Sequence, residues 1–236
     1  HLERLHQIDK NKGSSNKENF HSGFGKEEIL KSNIAIEFDS VSFKYFNSET
    51  YIFENLNFKI NKNQHTVITG QNGSGKSTLL GLLSGVFYPN NGKVKCYAEK
   101  IAYIGAKPMI FNGTLKENLI YGSDKDLDDS LLNDYINKFK VFNIDSEINL
   151  TSNISNKTLS SGQMQKISFI RAFLRNPEIL FLDEAISNID VNSVETILNQ
   201  LDQFGGTIFN ITHNPEKFKK IDSTYTIFDK NLINTK

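Results

Sequence analysis

The residues best suited to chemistry lie in one short glycine-rich segment. Residues 70–78 read Gly-Gln-Asn-Gly-Ser-Gly-Lys-Ser-Thr, which fits the pattern G-x-x-x-x-G-K-[ST]. Glycines let the backbone bend until successive N–H groups surround an anion, and a helix that begins there adds the positive end of its dipole. The segment therefore predicts a phosphate-binding loop, in which the Lys76 amine reaches the β- and γ-phosphates and the Ser77 hydroxyl ligates Mg²⁺. The residues expected at the phosphates are Gln71, Asn72, Gly73, Ser74, Gly75, Lys76, Ser77 and Thr78.

The segments on either side of this loop support the prediction. The β-rich residues 66–69 precede it and the helical residues 79–84 follow it. An ordinary Gly/Ser turn that fits the pattern by chance is the alternative. The motif requires the order strand, glycine loop, helix, so the flanking segments favour phosphate binding.

A second group of candidate residues follows a buried strand about a hundred residues further on. Residues 178–183 form a short apolar run, typical of a buried parallel strand, and the run ends at Asp183. Ligands bind at the carboxyl ends of strands in open α/β sheets, so Asp183 is a candidate to hold Mg²⁺, directly or through water. Glu184 comes next, where a carboxylate orients or deprotonates an attacking water. A pair of exposed turn carboxylates is the structural alternative.

Strand and helix signals alternate along most of the chain. Period-two alternation predicts two half-buried strands at 34–38 and 41–45, with compact structure beginning near Ile34. Further strands are expected at 57–60, 65–69, 93–97, 100–104, 178–183 and 206–212, and helices within 114–142, 162–174 and 191–204. This order predicts an α/β sheet with a helical insert at about residues 107–174.

Composition and charge limit the classes of function. Lys+Arg and Asp+Glu both number 27, so no overall basic field argues for nucleic acid as a partner. No apolar run approaches the roughly 20 residues of a membrane helix. The single cysteine, Cys96, cannot form an internal disulfide, and its alternating surroundings predict a packed side chain.

Residues 159–163 read Leu-Ser-Ser-Gly-Gln and open the helix that precedes the Asp183 strand. The Ser160 hydroxyl and the amides that open the helix at Gly162 form a candidate anion site. The segment is close to L-S-G-G-Q, and with it the chain resembles the nucleotide-binding domain of ATP-binding cassette (ABC) proteins over about residues 34–236. Further motifs stand in the family's order: an adenine-stacking aromatic at Tyr45, Ser187–Asp190 after the catalytic glutamate, and the γ-phosphate switch histidine at His213.

The resemblance implies a fold, cofactors and residue roles. The implied fold is a P-loop NTPase (RecA-like) mixed-sheet core with an antiparallel β subdomain and an inserted α-helical subdomain, and the cofactors are ATP and Mg²⁺. The implied catalytic residues are Glu184, His213 and Lys76, the metal ligands are Ser77 and Asp183, and the nucleotide contacts outside the loop are Tyr45, Ser160, Ser161, Gly162, Gln163 and Asp190. Each of three residues has a structural alternative: Tyr45 packs in the sheet, His213 is a structural or surface histidine, and Asp190 is a helix N-cap.

In this family two such domains pair head to tail, with each ATP between one phosphate loop and the other signature. Residues 111–118, Phe-Asn-Gly-Thr-Leu-Lys-Glu-Asn, resemble the exporter pattern F-x-G-T-x-x-E-N. Residues 1–9 carry apolar residues at helical spacing and 10–28 are typical of a flexible linker, so 1–33 are expected to link an upstream transmembrane domain. The implied function is ATP-driven export or flipping of a substrate at the cytoplasmic face of a membrane. The expected partners are a transmembrane domain and a second, identical or different, nucleotide-binding domain.

Three positions depart from the family pattern. Ala106 stands where a glutamine is usual, so no side-chain oxygen is available there for Mg²⁺ or water. Ser161 replaces the first glycine of the signature pair, where a side chain crowds the γ-phosphate and hints at a heterodimer with one weakened site. Residues 153–157 lack the acidic residue that is frequent before the signature in exporters, which puts cross-talk between subunits in doubt.

Two other functions stay open at the level of sequence. A non-transport ABC ATPase of DNA repair or translation usually carries a long coiled coil or a second cassette, and neither is visible in this chain. A GTPase or kinase with a chance signature is the other possibility. No N-K-x-D motif for guanine is present.

Overall fold

The computed structural model describes residues 17–22, 26–123, 127–143 and 146–235. The strands in these ranges are β1 (Phe20–His21), β2 (Ile34–Phe43), β3 (Phe53–Asn61), β4 (His65–Thr69), β5 (Asn91–Cys96), β6 (Ile101–Ile104), β7 (Gly113–Thr114), β8 (Asn153–Ile154), β9 (Ile179–Asp183), β10 (Thr207–Ile211), β11 (Ser223–Phe228) and β12 (Asn231–Asn234). The α-helices are α1 (Lys26–Lys31), α2 (Lys76–Leu83), α3 (Leu115–Ile120), α4 (Asp129–Lys138), α5 (Ser161–Leu174) and α6 (Val191–Asp202), and short 3₁₀ turns occupy Lys17–Asn19 and Pro215–Lys217.

A six-stranded mixed sheet in the order β12-β11-β4-β10-β9-β6 forms the centre of the fold. Five neighbouring strands run parallel, and β12 alone pairs antiparallel, with β11. The central strands are almost entirely buried, as expected of parallel strands covered on both faces. In the registers, Ile211 pairs with both Ile68 and Asp183. The carboxyl ends of β4, β10 and β9 therefore meet at one edge of the sheet, where the phosphate loop and the candidate carboxylates begin.

A second sheet in the order β1-β5-β2-β3 packs beside the first, and its β5–β2 and β2–β3 pairs are antiparallel. Residues 34–38 and 41–45, expected as two strands, instead contribute to the single strand β2. The register shifts between Phe38 and Val41, and Ser40 takes a φ of 53°. This irregularity turns the strand locally, so both halves keep their apolar residues in the core. Cys96 is buried there and its pKa is raised to about 11 by burial, which confirms the packed side chain.

The helical insert lies between β6 and β9, and its helices begin at residues that cap them. The Thr114 hydroxyl accepts from Glu117 N while the Glu117 carboxylate accepts from Thr114 N, a reciprocal capping box. Asp128 caps α4. Buried residues of α3, α4 and α5 share one hydrophobic cluster with the central sheet, so the predicted α/β organisation with a helical insert is confirmed. Among the described residues, no helix combines the length and apolar character needed to cross a bilayer.

Ordered elements precede Ile34, where compact structure was expected to begin. Strand β1 pairs in parallel with β5, the Phe20 ring lies 6.2 Å from that of Tyr88, and Ile29 of α1 is buried. Local sequence does not reveal these elements, because β1 pairs with strand residues more than seventy positions further on. The helical pattern expected at 1–9 lies outside the described residues.

Candidate active site

The phosphate loop joins β4, a central strand, to α2. Its backbone depends on glycine at Gly73 and Gly75, whose φ angles of 81° and 106° lie in the left-handed region. A Cβ at Gly75 would lie 2.8 Å from Ile52 Cγ2, so the loop is also packed tightly from behind. A Cβ at Gly73 would meet no atom within 4 Å, so the φ angle and not a lack of space requires glycine there. The structure therefore places the predicted loop between a strand and a helix, as its motif requires.

Two polar groups of this loop are buried, the Lys76 amine and the Ser74 hydroxyl. The Lys76 amine is buried and donates to the carbonyl oxygens of Gly70 and Gln71, at 2.8 and 2.9 Å. The Ser74 hydroxyl is buried and has no hydrogen-bond partner in the part of the chain that the structure describes. A buried donor without a partner is costly, so the cradle has the character of a site for phosphate oxygens.

Tyr45 lies next to the phosphate loop, to which its hydroxyl is tied. This hydroxyl and Thr78 Oγ1 are 2.7 Å apart, and the ring packs edge-on against Phe43 and Phe87 at 5.3 and 5.6 Å. The side chain is half-buried, so part of it stays accessible. The packing alternative for Tyr45 is thus realised, and stacking on adenine stays a prediction.

Asp183 ends β9 at the sheet edge that carries the phosphate loop. It is half-buried, and the Tyr103 hydroxyl donates to Asp183 Oδ2 at 3.2 Å. The Ser77 hydroxyl, at the second position of α2, belongs to an exposed residue. Both predicted metal ligands are oxygen donors, which are the ligands that Mg²⁺ prefers.

Glu184 and His213 follow neighbouring parallel strands and meet beyond them. His213 Nε2 lies 3.0 Å from Glu184 Oε1, with the imidazole 48% and the carboxylate 37% exposed. Glu184 has a φ of 51°, and its amide donates to the carbonyl oxygen of Ile211 at 2.9 Å. A left-handed φ is costly for a residue with a side chain and concentrates at functional sites. The structure thus brings together two residues that the sequence placed almost thirty positions apart.

The signature segment starts α5 and caps it. Ser160 Oγ accepts from Gln163 N at 3.2 Å, and Ser160 N donates to Gln163 Oε1 at 2.8 Å, so both side chains are used in a capping box. Ser161 is the first helical residue and is exposed. A Cβ at Gly162 would lie 3.1 Å from the carbonyl oxygen of Asn188, which explains a glycine there. Within the described ranges, no hydrogen bond or ion pair joins residues 160–163 to residues 70–78.

Asp190 caps the following helix and pairs with a buried cation. Its Oδ1 accepts from Ser193 N at 3.0 Å, and its Oδ2 lies 2.8 Å from Lys166 Nζ. The hydrogen bond from Lys166 holds the Asp190 pKa down to about 2. Lys166, a residue of α5, also donates to the carbonyl oxygen of Lys140 at 2.8 Å. The N-cap alternative for Asp190 is confirmed, and its role toward nucleotide stays a prediction.

The loop at Gly105 and Ala106, where the usual glutamine is absent, is held by two amide side chains. Gln165 Nε2 donates to the carbonyl oxygen of Gly105 at 3.1 Å, and Asn188 Nδ2 donates to that of Ala106 at 3.2 Å.

Sequence reasoning missed Tyr103, Lys166 and Asn188. The signal for Tyr103 was period-two alternation in β6, which sets it on the opposite face from Ala102 and Ile104.

The residues present fit a nucleoside triphosphate and one Mg²⁺. The glycine cradle and the unpartnered Ser74 hydroxyl suit phosphate oxygens, and Lys76 supplies a cation beside them. Among the described residues, no group of three or more His, Cys, Asp or Glu side chains is arranged for a metal. Mg²⁺ needs no such group, because it is usually held by one or two protein oxygens, waters and substrate phosphates.

Comparisons with known proteins agree with this geometry. A protein-family model described as ABC transporter matches residues 53–187, more than half of the chain. The ATP-dependent permease MDL1 of Candida albicans is 32% identical over 209 residues, which cover 79% of this chain and 30% of the relative. A putative export ATP-binding/permease protein of Rickettsia typhi is 32% identical over 221 residues, which cover 86% of this chain and 38% of the relative.

The solved structure of a bacterial Atm1-family ABC exporter with ATP bound has the same fold. It matches with a TM-score of 0.77 at 21% identity, over 86% of this chain and 38% of that one. The fold and its glycine loop define a P-loop NTPase, with the predicted mixed-sheet core. Within that class, the chain belongs to the ABC transporter family. It spans about a third of the length of the two relatives described above.

Proposed function

We propose that this chain is the ATP-binding and ATP-hydrolysing domain of an ABC exporter. The observation that carries the proposal is that the phosphate loop and the Glu184–His213 pair lie at the same edge of the sheet. A cradle alone fits any phosphate binder. A carboxylate held by an imidazole beyond the neighbouring strand adds a group that can accept a proton from water.

The residues divide into binding, metal and proton-transfer roles. The backbone amides from Gly73 to Ser77 and the Lys76 amine bind the phosphates. Ser77 and Asp183 would hold Mg²⁺, which would supply positive charge beside the phosphate oxygens. Glu184 orients the attacking water and accepts its proton, while His213 fixes the position of that carboxylate and reaches the γ-phosphate. Tyr45 stacks on adenine beside the loop to which its hydroxyl is tied.

A second nucleotide-binding domain completes the site. Residues 160–163 make no hydrogen bond to the chain's own phosphate loop in the described ranges, so the signature is available to a nucleotide on a partner. The amides that open α5, a helix of 14 residues, and the exposed Ser161 would meet the γ-phosphate there. ATP binding then joins two domains, hydrolysis separates them, and the cycle moves a transmembrane domain at the cytoplasmic face of a membrane. The names of the relatives support export over DNA repair or translation.

The decisive experiment measures ATP binding and hydrolysis by the 236-residue chain. We expect Mg²⁺-dependent ATPase activity, loss of ATP binding in Lys76→Ala, and full binding in the matched variant Lys93→Ala, which removes an exposed lysine of β5. GTP competing as well as ATP would contradict adenine stacking by Tyr45. Absence of ATP binding to the unaltered chain would overturn the proposal.

The head-to-tail arrangement has its own test in solution. Gel filtration of Glu184→Gln with excess Mg-ATP should show a dimer, and the same variant without nucleotide should elute as a monomer. A monomer under both conditions would contradict the shared site.

A further inference from the structure

Tyr103 is an aromatic residue that the core does not use. It lies on β6, the edge strand of the central sheet, and remains 56% exposed. In the parallel register Tyr103 pairs with Phe181, two residues before Asp183, and its hydroxyl donates to Asp183 Oδ2 at 3.2 Å. The side chain thus extends along the sheet to the carboxylate that ends β9.

The residue after this strand is small for a reason of space. A Cβ at Gly105 would lie 2.8 Å from the Tyr103 hydroxyl oxygen and 3.0 Å from Cε1. The φ of Gly105 is not in the left-handed region, so the backbone conformation itself does not require glycine. The absence of a Cβ at position 105 instead leaves room for the phenol beside Asp183.

Position 106 cannot supply a polar group to the same place. Ala106 has no side-chain oxygen, and its carbonyl already accepts from Asn188 Nδ2. A phenol is both a donor and an acceptor, so while it donates to one oxygen of Asp183 it can accept from a water on the cation. Hydrogen bonds from residues that contact a ligating carboxylate, and not the metal itself, hold that carboxylate in place and are costly to remove.

We propose that Tyr103 is a positioning residue for Mg²⁺, which holds Asp183 through its hydroxyl and replaces the polar side chain that position 106 lacks. This inference rests on the proposed function, because it requires ATP and Mg²⁺ at the same edge of the sheet. It assigns to this chain a metal site built from β6 and β9 together, with Gly105 as the small residue that permits it.

The test measures the affinity of the chain for a non-hydrolysable ATP analogue as the Mg²⁺ concentration is raised. The quantity compared between variants is the Mg²⁺ concentration at which half of the increase in affinity is reached. We expect Tyr103→Phe to raise this concentration about tenfold, the usual effect of losing one hydrogen bond to a charged group, and to leave binding in EDTA unchanged. Gly105→Ala should act in the same direction, because it displaces the hydroxyl without removing it. The matched control is Tyr121→Phe, which removes an exposed phenol of the helical insert and should change neither quantity.

A rescue experiment separates a polar role from a structural one. Ala106→Gln should restore the Mg²⁺ dependence in the Tyr103→Phe background, because it returns an amide oxygen to this place. Tyr103→Phe with an unaltered Mg²⁺ dependence would overturn this inference and leave the proposed function standing. If the unaltered chain binds no ATP in EDTA or in Mg²⁺, the proposed function and this inference both fail.

Discussion

His213 Nε2 lies 3.0 Å from Glu184 Oε1, and this contact joins the ends of two neighbouring parallel strands. The Glu184 backbone is held as well, since its amide donates to Ile211 O and its carbonyl oxygen accepts from Ser187 Oγ at 2.8 Å. A left-handed φ at Glu184 completes this fixed geometry. Contacts within the chain itself therefore fix the geometry of the pair.

Removing the basic oxygen of Glu184 should stop turnover without weakening binding. We expect Glu184→Gln to lower kcat about 10²- to 10⁴-fold, the usual contribution of a positioned base, while the Kd for ATP stays within about twofold. Single-turnover hydrolysis and equilibrium nucleotide binding measure the two quantities. Glu195→Gln, in α6, is the matched control and should keep both. Equal losses of binding and turnover in Glu184→Gln would show that the carboxylate serves binding instead.

The contact between the two residues should appear as energetic coupling. His213→Gln alone should lower kcat, but in the Glu184→Gln background it should have little further effect, because residues that act as a unit are not additive. A double-mutant cycle on kcat measures this coupling. Independent effects that multiply would mean that His213 acts on the nucleotide without Glu184.

Some of this site was predictable because its signals are local. The phosphate loop is a continuous stretch with glycines at fixed spacing, and Asp183 ends a continuous apolar run. Glu184 and His213 follow two such runs, and parallel pairing of β9 with β10 then brings them together. The order of elements was enough to predict Asp183 and Glu184, whereas the role of His213 was assigned from the family resemblance.

Other features could not be predicted from the sequence alone. Tyr103 meets Asp183 only because β6 pairs with β9 and because a glycine leaves space. Lys166 looked like an ordinary helix residue, although its amine is buried against Asp190. The hairpin of β11 and β12 was missed because its turn uses two non-glycine residues, Asp229 and Lys230, with φ angles of 44° and 61°.

Asp190→Ala should destabilise the fold by about 2 kcal/mol, because it removes a helix cap and leaves the buried Lys166 amine without its carboxylate. The loss of stability is modest because the Asp190 side chain is 52% exposed and water screens its ion pair. Urea unfolding measures the loss. Asp190→Asn keeps a capping oxygen and should lose less unfolding free energy. In the Lys166→Met background, Asp190→Ala should cost less than it does in the unaltered chain. Equal stability of all variants would mean that the ion pair contributes nothing.

The same carboxylate should contribute to acid unfolding. The pKa of Asp190 is lowered from 3.8 to about 2 in the folded chain, so on acidification the unfolded chain binds the proton first. Its contribution is complete above pH 3.8 and is lost as the pH falls toward 2, by no more than about 1 kcal/mol after discounting for exposure. Unfolding free energies of the unaltered chain and Asp190→Asn, measured from pH 5 to pH 2, should converge. A constant difference over that range would contradict the ion pair.

A buried histidine far from the proton-transfer pair should give the fold a second dependence on pH. His65 opens β4, is 6% exposed, and its Nε2 lies 3.2 Å from Asn210 Nδ2. Burial lowers the pKa of His65 to about 4, against smaller raising effects of the Lys220 backbone, Asp222 and Asp202 and a small lowering effect of the Lys220 charge. A ring that accepts from the Asn210 amide is neutral at Nε2, which agrees with this direction.

Acidification from pH 6.5 to pH 4 should therefore cost stability, because the unfolded chain takes up a proton at His65 while the folded chain does not. The lowered pKa corresponds to a loss of about 3 kcal/mol by pH 4, with no further loss from this residue below that pH. Urea unfolding at half-unit pH steps measures the slope. His65→Gln, which keeps an amide for Asn210, should flatten the slope even if it lowers stability at pH 7. His21→Gln, at an exposed position of β1, should leave the slope as it is. A slope unchanged in His65→Gln would mean that another group takes up the proton between pH 6.5 and pH 4.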